Sequence, residues 1–78
     1  MHFPSREQIT ALQRQYPRGT KVELLGMDDP QAPPTGAMGE VMGVDDAGQL
    51  LVRWETGSSL SLIPDVDSFR IAEKGDRS

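Results

Sequence analysis

Six aspartates in three close pairs, Asp28 with Asp29, Asp45 with Asp46 and Asp65 with Asp67, are the residues of this chain whose chemistry is most open. Paired carboxylates can share acid–base work, one holding a proton while the other accepts one. Several of them converging would also suit a hard cation such as calcium. Each pair, however, lies in a segment of turn composition, where aspartate is favoured because its carboxylate bonds its own backbone. "DDAG" and "DVD" also lack the alternating acids and central glycine of a calcium loop, so a metal site would need separate turns to converge, and none is assigned.

Ser58, Ser59 and Ser61 are candidate nucleophiles. A serine needs a base within hydrogen-bond reach and a group to orient that base, yet the only histidine is His2, at the terminus. The glycines of "GAMGEVMG" fall in an expected strand, not in the strand-to-helix turn that aims backbone donors at phosphate. The sequence therefore predicts a non-catalytic protein with no cofactor.

Charge narrows the partners. The 78 residues carry a net charge of -4, unevenly spread. Residues 1–21 hold Arg6, Arg14, Arg18 and Lys21 against Glu7, a balance of +3. Residues 22–72 hold Arg53 and Arg70 against nine acids, a balance of -7. Gripping nucleic acid requires cations that displace counterions from phosphates, so only the N-terminal segment is suited to it. No cysteine is available for disulfides or thiolate metal sites, which suits a reducing compartment. "MHFPSREQ" lacks the apolar run of a secretion signal and no stretch approaches the roughly 20 apolar residues that cross a bilayer. A cytoplasmic protein with no membrane contact is expected.

The elements that must position these residues follow from period and punctuation. Ser5 and Gln8 have the spacing of a capping box, Ile9, Leu12 and Tyr16 form a thin apolar stripe, and Pro17 stops the run. These predict a short helix over 5–16 that docks on its own domain. From Thr20 the period becomes two. Val22 and Leu24 share a face in "TKVELLGM", and Leu50, Val52 and Trp54 share one after the "DDAG" turn. Between them Val41 and Val44 fall out of phase, a slip that a bulge at Gly43 would correct. "ETG" closes a tight turn with Gly57 in the left-handed position. "SSLSLIP" reads as a fourth strand, "PDVD" as one helical turn, and a last strand holds Phe69 and Ile71.

Five short strands at this spacing predict a mainly β fold, a small SH3-like barrel with a short N-terminal α-helix. A chain this short buries only roughly 60% of its unfolded surface, so one domain over 1–78 is expected, with the barrel at 20–71 and a flexible tail at 72–78. The expected core is Val22, Leu24, Val41, Val44, Leu50, Val52, Trp54, Leu60, Leu62, Ile63, Val66, Phe69 and Ile71.

"MDDPQAPPTG" interrupts the alternation. Its "PQAPP" has the PxxP spacing of a polyproline ligand, but both ends are tied to strands, and in an SH3-like barrel the first long loop forms one wall of the partner groove. Proline there lowers the entropy lost on ordering. The expectation is a stiff acidic rim of Asp28, Asp29, Pro30, Pro33 and Pro34. Asp45 and Asp46 would join it from the next hairpin, with Tyr16 or Trp54 as an aromatic floor. The phase Trp54 shares with Leu50 and Val52 directs it instead to the core. Such a rim would attract a basic protein surface.

Over Tyr16 to Ile71 the sequence resembles the family catalogued as domain of unknown function 4314. The pieces that carry the resemblance are the "YP.GT.V" entry, the "MDDP.APP.G" loop, the "G.V.GVDD.G" hairpin and "W..GSSL.LIP.VD.F". The resemblance implies a small intracellular bacterial module frequently found on phages and other mobile elements, and it brings no activity. The function expected is therefore a protein-binding accessory module of a phage, plasmid or similar element. Two alternatives stay open: a nucleic-acid-binding barrel that uses the basic helix, and an acidic inhibitor of a host nucleic-acid-binding protein. The partner and the oligomeric state are not set by the sequence.

Overall fold

A computed structural model describes residues 4–75. Ser5 caps helix α1 (Arg6–Gln15), its hydroxyl accepting from Gln8 N at 3.1 Å while Gln8 Oε1 accepts from Ser5 N at 2.7 Å. That is the reciprocal box the spacing predicts, and it satisfies two of the donors a helix start leaves unpaired. Tyr16 closes the helix by donating its backbone N–H to Leu12 O, and Pro17 follows.

Four strands come next: β1 (Lys21–Gly26), β2 (Met38–Val44), β3 (Leu50–Trp54) and β4 (Ser68–Glu73). They form one antiparallel sheet in the order β3-β2-β1-β4. A bulge is present but one residue earlier than Gly43, because Val41 pairs with Val52 and Gly43 with Leu51, leaving Met42 as the extra residue. The β2–β3 turn is built by Asp45, whose Oδ1 accepts from Ala47 N at 3.0 Å and from Gln49 N at 2.9 Å. Gly48 supplies the positive φ of 80° that this turn requires.

The five-stranded barrel needs correction: among the described residues the sheet has four strands and is open, with β3 and β4 as its two edges. "SSLSLIP" contributes a single bridge, Leu62 opposite Leu50, with both backbone hydrogen bonds made. The reason lies at Leu60. Its carbonyl accepts from Trp54 Nε1 at 2.9 Å, and its N–H donates to Ser58 Oγ at 3.3 Å. Side chains thus hold both groups that a ladder would use. Three residues on, Ile63 N donates to Asp67 Oδ2, which folds the chain into the 63–67 turn.

The core lies on one face of the sheet: Val22, Leu24, Val41, Leu50, Val52, Trp54 and Leu62 are buried, joined by Ala37. Val44 and Phe69 are packed against it and half-buried, as are Tyr16 and Met27. Leu60 and Ile71, also expected inside, are half-buried too. Ile63 and Val66 are not core residues, at 38% and 70% exposure, because the segment that carries them never joins the sheet. The helix docks on the β2–β3 turn, where Pro4 and Leu12 lie over Gly48, and Tyr16 stacks obliquely on Phe69 with ring centroids 5.6 Å apart.

One buried polar residue ties helix, sheet and C-terminal segment together. Thr20 is wholly inaccessible, its hydroxyl donating to Pro17 O at 2.6 Å and accepting from Gly75 N at 3.0 Å. Pairing therefore extends beyond Ile71, through Glu73 in β4 to Gly75.

Candidate functional site

The two aspartate pairs expected to form one rim lie at opposite ends of the sheet. Asp28 and Asp29 belong to the 27–37 loop, which joins the end of β1 to the start of β2, whereas Asp45 and Asp46 follow the end of β2. The length of β2 separates them, on the order of 20 Å at about 3.3 Å per residue. An acidic rim that combines them is not formed.

The prolines of the first loop divide between surface and interior. Pro30 and Pro34 are exposed while Pro33 is buried, so "PQAPP" does not present both prolines of its PxxP spacing. Asp29 Oδ1 accepts from Gln31 N at 2.8 Å, Gly36 N donates to Leu24 O and Leu24 N to Ala37 O. The loop is held to β1 at its base, and only Asp28, Asp29, Pro30 and Pro34 of the expected rim face outward.

Neither aromatic supplies an open floor. Trp54 is 2% exposed and its indole N–H is used by Leu60 O, so it is a core residue, as its phase with Leu50 and Val52 requires. Tyr16 is half-buried against Phe69. Of the candidate serines, Ser58 accepts from Leu60 N through its Oγ, and His2 lies outside the described residues. Among the described residues no three His, Cys, Asp or Glu side chains come together.

What the fold does build is a groove of about 340 Å³ along one flank of α1. Gln8, Ala11 and Leu12 of the helix form one wall, Ala47 and Gly48 of the β2–β3 turn the floor, and Ile63, Pro64 and Asp65 the other wall. Its lining is mostly apolar, and the 63–67 turn that forms this wall also carries exposed Val66. Asp65 stands in the groove, and Asp46 lies next to its floor on the β2–β3 turn. Sequence reading missed this site because it assigned Ile63 and Val66 to the core. The available signal was the proline after Ile63, which ends any strand there.

The cations of the sheet face and those of the helical segment form two groups. On the outer face of the sheet Glu40 lies between Lys21 at 3.9 Å and Arg53 at 3.5 Å, and Glu23 meets Arg70 at 2.6 Å. In register, Arg53, Glu40, Lys21 and Glu73 form a row of alternating sign across all four strands. Exposed pairs of this kind contribute at most about 1 kcal/mol each, and their consequence here is a sheet face with little net field. Arg6, Arg14 and Arg18 are exposed, and among the described residues none has a carboxylate within 4.0 Å.

The model of the family described as "Domain of unknown function (DUF4314)" matches residues 5–72. The chain belongs to that family. No curated protein and no solved structure matches it.

Proposed function

We propose that this member of a family without an assigned activity is a non-catalytic protein-binding module. Its docking site is the groove between α1 and the 63–67 turn. The observation that carries the reading is the apolar wall of Ile63, at 38% exposure, and Pro64, facing Ala11 and Leu12. In so small a protein, apolar side chains left outside the core beside a groove mark a surface that gains by being covered. The acids around it, Asp65 and Asp46, favour a partner segment that inserts an aliphatic or aromatic side chain and carries a lysine or arginine beside it.

This keeps the basic protein partner expected from the charge balance and moves its site from the proline loop to the helix flank. The strand order and the Leu50–Leu62 bridge support an SH3-like barrel left open between β3 and β4. An accessory role on a phage, plasmid or similar element, inside the cytoplasm, fits a small module of this kind.

The test is an NMR titration of the labelled protein with an amphipathic peptide of alternating leucine and lysine turns. Shifts are expected at Ala11, Leu12, Ala47 and Ile63, with none at Asp28 to Gly36, and Ile63→Asp removes them. Shifts centred on the 27–37 loop, or unchanged by that substitution, overturn the reading.

A further inference from the structure

The opposite flank of α1 has a different character. Arg6, Thr10 and Arg14 follow one another at intervals of four residues and so lie in one line along the helix, around a shallow hollow that also includes Glu7 and Ala11. Arg6 and Arg14 are about 12 Å apart along the axis at ~1.5 Å per residue. Arg18 is exposed on the turn that follows. Among the described residues these are the arginines without carboxylate partners, whereas each cation of the sheet face has one.

We infer that this flank binds the phosphate backbone of duplex DNA, without reading its sequence. Three features select that occupant. All three cations are arginines, whose planar fork matches phosphate oxygens with two parallel hydrogen bonds. The line holds no exposed aromatic on which an unpaired base would stack, and no exposed bulky apolar residue that would enter a lipid surface. The helix that bears it is capped at Ser5 and docked through Leu12 and Tyr16, so its guanidinium groups project from a fixed support.

The net charge of -4 does not oppose this, because charge acts locally. The Debye length is about 10 Å at 0.1 M salt, and Asp28 and Asp29 lie beyond it at the far end of the sheet. The opposing groups on the flank itself are Glu7, within the line, and Asp46, which faces Arg6 across a second groove.

The experiment is fluorescence anisotropy of a labelled 20-base-pair duplex of mixed sequence, titrated with the full chain. For three phosphate contacts, affinity falls about 40-fold between 50 and 200 mM salt, from a slope of roughly -0.9 per contact. The triple change Arg6→Gln, Arg14→Gln and Arg18→Gln abolishes binding, and Glu7→Gln tightens it. Arg14→Gln alone lowers the slope by about 0.9, which provides a readout should the triple variant fail to fold. No binding at 50 mM salt, binding unaffected by the arginine changes, or equal binding of a polyglutamate peptide overturns the inference. Because Ile63 lines the groove and not this flank, Ile63→Asp leaves DNA binding unchanged, so the two proposals fail separately.

Discussion

Gly39 stands opposite Trp54 in the β2–β3 ladder, and the indole lies against its backbone so closely that a β-carbon on Gly39 would sit 2.8 Å from Trp54 Cε3. The same carbon would be 2.5 Å from Val52 Cγ1. Both neighbours are buried and neither can swing away, so Gly39→Ala forces the largest core side chain outward. The expected cost is about 1–3 kcal/mol, or a melting temperature lower by about 5–20 °C for a domain of this size. Thermal unfolding followed by the fluorescence of the single tryptophan measures it; an unchanged midpoint would show that the sheet relaxes freely at this contact.

Trp54 also carries a hydrogen bond that its volume does not reveal. Trp54→Phe keeps an aromatic ring but leaves the Leu60 carbonyl without its indole donor. A cost of about 1–3 kcal/mol beyond the change in packing is expected, from the unpaired acceptor. Urea unfolding of the phenylalanine variant gives the value. In the same variant the backbone amides of residues 59–61 should exchange faster, since that bond ties Leu60 to the core between the backbone contacts that Ser58 and Leu62 make with β3.

At Thr20 shape and hydrogen bonding can be separated. Thr20→Val preserves the volume but removes the acceptor for Gly75 N, leaving that N–H without a partner, whereas Thr20→Ser retains both bonds. Valine is expected to cost about 1–3 kcal/mol and serine less. Gly75 itself has no room for a side chain, because an added β-carbon would lie 2.6 Å from Thr20 N and 2.7 Å from Arg18 O. Gly75→Ala therefore detaches the chain end from the 17–20 turn. Loss of amide-exchange protection at residues 73–75, measured by hydrogen exchange, reports it.

The docked helix contributes to stability. Ser5→Ala removes the acceptor for Gln8 N and is expected to cost about 1 kcal/mol. Deleting residues 1–16 removes Leu12 from Gly48 and Tyr16 from Phe69 and lowers the melting temperature further. An unchanged melting temperature in the truncated chain would refute the docking.

Much of this arrangement is legible in the residues themselves. The alternation of β1 and β3, the Ser5–Gln8 box and the bulge beside Gly43 are local patterns, and each is made by groups a few residues apart or by one pleat. The 58–66 segment is different. Its alternation promises a strand, but Trp54 and Ser58 claim the backbone of Leu60, and that competition depends on where a distant ring lies in the core. Ala37 and Thr20 are buried through tertiary position, not through apolar bulk. The acids follow the same division: Asp29, Asp45 and Asp67 are turn-forming acceptors, as their composition suggests. Whether Asp28 meets Asp46 is settled by the length and direction of β2, which no local spacing encodes.

That separation makes the two acidic ends distinguishable in binding. Asp28→Asn with Asp29→Asn changes charge at the 27–37 loop alone, and Asp46→Asn with Asp65→Asn changes it beside the groove. A partner held by the groove loses affinity only with the second pair, by a few-fold at low salt, because exposed charges act chiefly on encounter and are screened. Ile63→Asp has the larger effect, since it places a charge on the apolar wall that the partner must cover. Isothermal titration of the leucine–lysine peptide against the three variants ranks them. An effect of the loop pair equal to that of the groove pair would mean that long-range field, not the groove, governs the contact.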